Sequence, residues 1–295
     1  ASGSGETASY GSFGIVGPDR CFVTTIGRAG VSGMMRRLKD LVRRTPLYGM
    51  VQRRRARNRL RRWDERDRKS LEFYSQFITP GDLCFDIGAN VGNRSKVFLK
   101  LGAKVVALEP QDACAAVLRG VFGDHERFRL VEKAVGESIG QAEMMLSNAS
   151  TISSMSPEWI AAVKQSGRFS GASWDRTRVV PVTTLDALIE EYGRPVFIKI
   201  DVEGYEYAVV KGLSSPVPAL SMEFTPELYE STARCVGHLS SLGEIRLNYS
   251  SGESMCWSLP EWIRSEQMLD ILAARRNDHV QFGDVYVRFE QFAGQ

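Results

Sequence analysis

The chain has 295 residues, 43% hydrophobic, 25% charged and 9% aromatic, the composition of an ordinary soluble globular protein. No apolar run approaches the roughly 18–20 residues of a membrane-spanning helix, which excludes an integral helical membrane protein. The five cysteines (Cys21, Cys84, Cys114, Cys235, Cys256) are scattered, odd in number and without a C-x-x-C pair, so neither a disulfide scaffold nor a cysteine-built zinc site is expected and the setting predicted is cytoplasmic.

The net charge of +3 conceals an asymmetry. Residues 36–69 carry 15 Lys/Arg against 4 Asp/Glu, a balance of +11, which leaves −8 for residues 70–295. A basic arm on an acidic body suggests an anionic partner for the arm.

Residues 1–33 are rich in Gly, Ser and Thr. They show no basic segment, apolar core and small-residue cleavage site, so a flexible segment without a secretory leader is expected, with at most a short strand at 21–26. Residues 34–79 read as a helical arm or lid. Leu38, Leu41 and Val42 carry helical spacing before Pro46, and Leu60, Trp63, Leu71, Phe73, Tyr74 and Phe77 follow. After the turn at 79–82, residues 80–290 read as one domain of alternating strands and helices. Strands are predicted at 83–87, 104–108, 129–135, 196–201, 219–224, 245–249 and 284–289. Helices are predicted at 94–100, 112–121, 184–192, 206–212 and 227–242, and residues 141–182 form a strand–helix–strand insertion. This alternation specifies an α/β fold with a doubly wound, mostly parallel Rossmann-like sheet.

The first strand runs into Asp86-Ile87-Gly88-Ala89-Asn90-Val91-Gly92. A dinucleotide site would need G-x-G-x-x-G, whereas this loop is G-x-x-x-G with an aspartate two residues before it. A carboxylate there repels a pyrophosphate and suits a cationic amino-acid moiety such as the methionine of S-adenosylmethionine. The second strand ends at Glu109, where an acid can take both ribose hydroxyls. Glycines alone would also fit a tight strand–helix turn with no ligand; Asp86 and Glu109 in register favour the cofactor.

Residues from about 80 to 290 resemble the FkbM-family methyltransferases, class I, S-adenosylmethionine-dependent enzymes acting mostly on oxygen. The resemblance rests on the block 85–92, on Glu109-Pro110, on Lys199-Ile200-Asp201-Val202-Glu203-Gly204-Tyr205-Glu206 and on Glu223-Phe224. It implies a class I sheet of about seven strands with the last antiparallel. It also implies that Asp86, Gly88, Ala89, Asn90 and Gly92 line the methionine end of the cofactor. Glu109 and Pro110 would hold the ribose, Ala134 and Val135 would flank the adenine, and Asp201 would complete the pocket.

Methyl transfer to a hydroxyl needs alignment, water exclusion and removal of a proton. The three histidines (His125, His238, His279) lie in no motif, so a carboxylate base is expected: Asp201 first, then Glu203, with Glu223 ending the next strand. These acids could instead hold a divalent metal, the less favoured use. Glu206 reads equally as a helix-start acid, and Lys199 as a counter-charge. No Asn/Asp-Pro-Pro-Tyr/Phe or Pro-Cys segment follows the fourth strand, which disfavours amino-group and covalent-cysteine chemistries. The other cysteines read as small buried hydrophobes.

The run 53–62 reads as a solvated helix packed on the body by Leu60 and Trp63, with an anionic membrane surface the next use and nucleic acid the third. The hydroxyl-rich stretch 147–156 reads as loop or as hydrogen-bonding groups near the adenine. Trp174, Trp257 and Trp262 read as core before substrate contacts. The leading expectation is O-methylation of a small-molecule or glycan acceptor: a sugar, glycolipid or secondary metabolite. An RNA methyltransferase, or a non-catalytic module binding RNA or membrane through the arm, are the alternatives.

Overall fold

The computed structural model describes residues 46–276, 278 and 282–294. The strand expected at 21–26, the helical pattern before Pro46 and His279 lie outside the described residues. Of the two units into which the chain divides, residues 49–295 form the second, a compact one.

The centre of the second unit is a seven-stranded sheet. In chain order the strands are β1 (Leu83–Ile87), β2 (Lys104–Leu108), β3 (Phe128–Val131), β7 (Phe197–Ile200), β8 (Ala219–Phe224), β9 (Ile245–Ser251) and β10 (Gly283–Phe289). Their spatial order is β3-β2-β1-β7-β8-β10-β9, and β10 runs antiparallel to both of its neighbours. This is the α/β sheet expected. The direction of winding reverses between β1 and β7, so the loops leaving these strands diverge and open a crevice at their carboxyl ends.

The apolar runs explain the sheet's burial. Residues of β1 alternate between two cores: Phe85 and Ile87 join Ile198, Ile200, Leu220 and Val285 on one face, while Cys84 joins Phe98, Phe197 and Tyr286 on the other. The first face is covered by α6 (Leu185–Tyr192), α7 (Glu206–Lys211), α8 (Tyr229–Leu242) and α9 (Ser265–Ala273). The second is covered by α2 (Glu65–Tyr74), α3 (Asn93–Lys100) and α4 (Asp112–Phe122). Trp257 and Trp262 lie in this second core, stacked edge-on at 5.0 Å.

The continuous strand expected at 129–135 is two strands. β3 stays in the main sheet, while β4 (Ala134–Val135) and β5 (Gly140–Leu146) flank β6 (Arg176–Thr183) in a small second sheet. The chain changes sheet at Glu132–Lys133, both exposed. The inserted helix is α5 (Pro157–Ser166), started by Ser156, whose hydroxyl accepts from the Trp159 amide. Helix α9 was not expected, and α8 opens with a 3₁₀ turn at Pro226–Leu228 rather than at 227. Cys84, Cys114 and Cys235 are buried, but Cys256 is exposed, against the expectation of a small buried hydrophobe.

The arm is helix α1 (Pro46–Leu60) followed by α2. Leu60 is buried, and Arg57 donates to the Ala116 carbonyl at 3.2 Å. Asp64 and Asp67 form a reciprocal cap at the start of α2. Lys96 of α3 bonds the Arg62 carbonyl at 2.7 Å and the Asp67 carboxylate at 2.5 Å. Trp63 stays 39% exposed, with one face against the Lys96 ammonium at 4.6 Å, so Leu60 rather than Trp63 carries the packing. No helix among the described residues is long and apolar enough to cross a membrane.

Candidate active site

The carboxyl ends of the central strands open into one cavity of about 1270 Å³. Asp86, Gly88, Ala89, Asn90, Glu109, Pro110, Ala134, Val135, Asp201, Glu203 and Glu223 all line it. Gly92 does not. It stands at the start of α3 with a positive φ, and a side chain there would meet Leu118 and Phe122 at 2.7 Å.

Gly88 turns the chain at φ +80°, its amide and that of Ala89 both donating to the Leu108 carbonyl at 3.0 Å. This ties the β1 loop to the end of β2, where Glu109 sits. Glu109 is buried, one carboxylate oxygen accepting the Asn90 amide and the other the Gln111 amide, each at 2.8 Å. Each oxygen has two acceptor positions, so one on each is left beyond these amide bonds. Burial pushes its pKa up to about 7 against the opposing pull of the Gln111 and Asn90 amides. Asp86 is also buried, accepting from the Ser95 hydroxyl at 2.5 Å, and burial raises its pKa.

Asp86, Lys199, Ser221 and Tyr286 are in register across four adjacent strands, and Asp284 stands opposite Glu223 two residues further along. Lys199 is buried and outside the cavity lining; its ammonium meets Asp284 at 3.0 Å and Asp201 at 3.3 Å. Burial alone would depress its pKa, but the Asp201 and Asp284 carboxylates outweigh it and hold the ammonium above its usual range. The lysine is a counter-charge.

Asp201, Glu203 and Glu223 form a three-carboxylate set with oxygens within 4.8 Å of one another, a spacing that suits a shared proton or one cation. Burial first, then the Glu223 charge, pushes Glu203 well above the usual carboxylate range; burial first, then the Asp201 charge, does the same to Glu223. Glu203 is held at φ +54° by its neighbours. Its carbonyl accepts from the Ser154 hydroxyl at 2.6 Å, and Gly204 follows at φ +90° against the Trp159 ring. Glu206 lies outside the cavity, its carboxylate accepting the Gly204 amide at 3.1 Å and the Val202 amide at 3.3 Å. It braces the loop.

Several lining residues escaped the sequence reading. Arg94 lines the cavity beside Ser70 and the Tyr74 ring and makes no ion pair among the described residues. Trp159 also lines it, with its indole N–H buried and unpartnered. Of the hydroxyl-rich stretch, Ser150, Thr151 and Ser153 reach the cavity, while Ser147 and Ser156 serve the loop's own amides. Trp174 bonds the Ile152 carbonyl, His238 the Leu213 carbonyl, and His125 accepts the Arg127 amide; none of the three lines the cavity.

The methyltransferase FkbM domain matches residues 86–248. Among solved structures, the chain is similar to precorrin-6Y C5,15-methyltransferase from Geobacter metallireducens GS-15, at 9% identity over 75% of this chain and 87% of that one, TM-score 0.38. It is also similar to the C-terminal domain of the Rhodobacter capsulatus precorrin-6Y C5,15-methyltransferase (12% identity, 74% and 85% covered, TM-score 0.36) and to EvdMO1 (12% identity, 83% and 48% covered, TM-score 0.41). No curated protein matches the sequence. The FkbM match spans more than half of the chain, and by it the chain belongs to the FkbM methyltransferases.

Proposed function

We propose that this methyltransferase is S-adenosylmethionine-dependent and methylates a hydroxyl of a sugar, glycolipid or secondary metabolite. The observation that carries the reading is the convergence of two acidic sets, Asp86 with Glu109 and Asp201 with Glu203 and Glu223, on one cavity. The residues present fit the cofactor. The open acceptor positions of Glu109 suit the paired ribose hydroxyls, and the acidic floor suits a ligand bearing an ammonium and a sulfonium. Arg94 is the cation available for the amino-acid carboxylate, and the unpartnered Trp159 N–H is a donor for a bound molecule. When bound, S-adenosylmethionine supplies an electrophilic methyl group.

The chain's own work is to orient the acceptor, keep water out and hold a proton. The loop of β1 fixes the cofactor end, and the insertion walls the cavity through Gln111, which donates to the Ser150 carbonyl at 3.1 Å. The carboxylate trio takes the proton from the hydroxyl. A carboxylate whose pKa is raised by burial and a like charge is a stronger base near neutral pH than a free one. Lys199 limits the repulsion by neutralising Asp201 and Asp284 from behind.

The test is transfer of a labelled methyl group from S-adenosylmethionine to a panel of glycosides, sugar phosphates and RNA. The reading predicts an O-methyl ether stable to mild base; label on nitrogen, on carbon or on RNA would overturn it.

A further inference from the structure

Where helix α1 borders it, the cavity lining has a charge pattern of its own. Helix α1 is seated on the body by one stripe: Ala56 and Leu60, four apart, pack against the second core, and Arg57 covers Gly120 while donating to Ala116. Arg55 and Arg59 each lie one position from that stripe, so a helix anchored in this way carries them together to the cavity. Both line it. Of the other arginines in the lining, Arg66 is paired with Glu253 and Arg168 with Glu227, while Arg94 stands against Ser70 and the Tyr74 ring. Arg55 and Arg59 are exposed and make no ion pair among the described residues.

An arm meant only for solvation would have no reason to turn an unneutralised pair inward. Two guanidinium forks offer up to about ten N–H donors, and a carboxylate is satisfied bidentately by one of them. A phosphate or diphosphate uses two. We infer that Arg55 and Arg59 form a phosphate grip, and that the acceptor is a small hydroxylated molecule carrying a phosphate or diphosphate, held with its hydroxyl toward the Asp201–Glu203–Glu223 trio. This rests on the methyltransferase reading above for the trio, and on α1 alone for the grip.

The test titrates the full chain, saturated with S-adenosylhomocysteine, with inorganic pyrophosphate at about 0.15 M salt, where exposed charges more than about 8 Å apart are screened. Binding is expected, weakened about tenfold or more by Arg55→Gln/Arg59→Gln, with affinity for S-adenosylhomocysteine unchanged. No pyrophosphate binding, or binding that survives the double substitution, overturns the grip. Parallel titrations use phosphatidylglycerol vesicles and single-stranded RNA; binding of either through Arg55 and Arg59 that pyrophosphate does not compete away overturns the small acceptor. A folded chain that binds pyrophosphate through these arginines but not S-adenosylhomocysteine upholds the grip and removes the cofactor reading instead.

Discussion

Gly88 lies backbone to backbone with Asp201: a Cβ on Gly88 would stand 1.9 Å from the Asp201 carbonyl oxygen. The loops leaving β1 and β7 therefore meet without side chains between them, and the Asp201 amide completes the contact by donating to the Ile87 carbonyl at 3.0 Å. The loop proposed to hold the cofactor and the proposed base are one construction.

Gly88→Ala should separate these loops. No side chain can relax a clash with a carbonyl, and φ +80° is strained for alanine as well. The expected cost is about 2–4 kcal/mol in chemical denaturation. Affinity for S-adenosylhomocysteine should fall at least about tenfold, equivalent to about 1.4 kcal/mol. Unchanged binding would detach the loop from the cofactor.

Lys199→Met should cost about 3–5 kcal/mol, because it removes the buried ammonium that both Asp201 and Asp284 meet. Adding Asp284→Asn should recover part of the loss. If the two substitutions add without coupling, the lysine is not neutralising that aspartate.

Much of this was legible from residue order. The strand-end acids Asp86, Glu109, Asp201 and Glu223 follow apolar runs directly, and in a parallel sheet such positions meet at one edge. What hid was set by register and by changes of sheet. Asp284 reaches Lys199 through antiparallel pairing of β10 with β8, a relation that no local spacing encodes. The run 129–135 reads as one strand because periodicity cannot say that its two ends join different sheets. Helix α9 did leave a signal, Met268 and Leu272 four apart and both buried. Arg55 sits in a run that reads as a solvated helix and Arg94 in no motif, because only the packing of α1 and α3 brings them to the cavity.

Glu206 links stability to pH. Burial raises its pKa from about 4.5 to about 7 despite the amides it accepts. A carboxyl raised in the folded state contributes stability that is full below about 4.5 and lost as pH rises through about 7, here about 3 kcal/mol. Glu206→Gln keeps an acceptor for the Val202 and Gly204 amides and removes the titration. Denaturation measured between pH 5 and 8 should show a flatter profile than that of the parent chain, the slope that remains coming from Glu109, Glu203 and Glu223. An identical slope would contradict the assignment.

Glu203→Gln and Glu223→Gln should each lower kcat by roughly 10²–10⁴ while leaving S-adenosylhomocysteine affinity intact. In the parent the rate should rise with pH along a limb displaced above the usual carboxylate range, since the base must be ionised. Removing one carboxylate's charge should shift the residual limb downward. EDTA should leave the rate unchanged; a chelator-sensitive rate restored by Mg²⁺ would make the trio a metal site instead.

The most direct test of the whole account is calorimetric titration of the folded chain with S-adenosylhomocysteine, beside Asp86→Ala and Glu109→Ala. The account predicts micromolar binding by the parent and its loss in both variants, since these two carboxylates carry the cofactor end of the cavity. A folded parent that does not bind, or variants that bind as well as the parent, would contradict it.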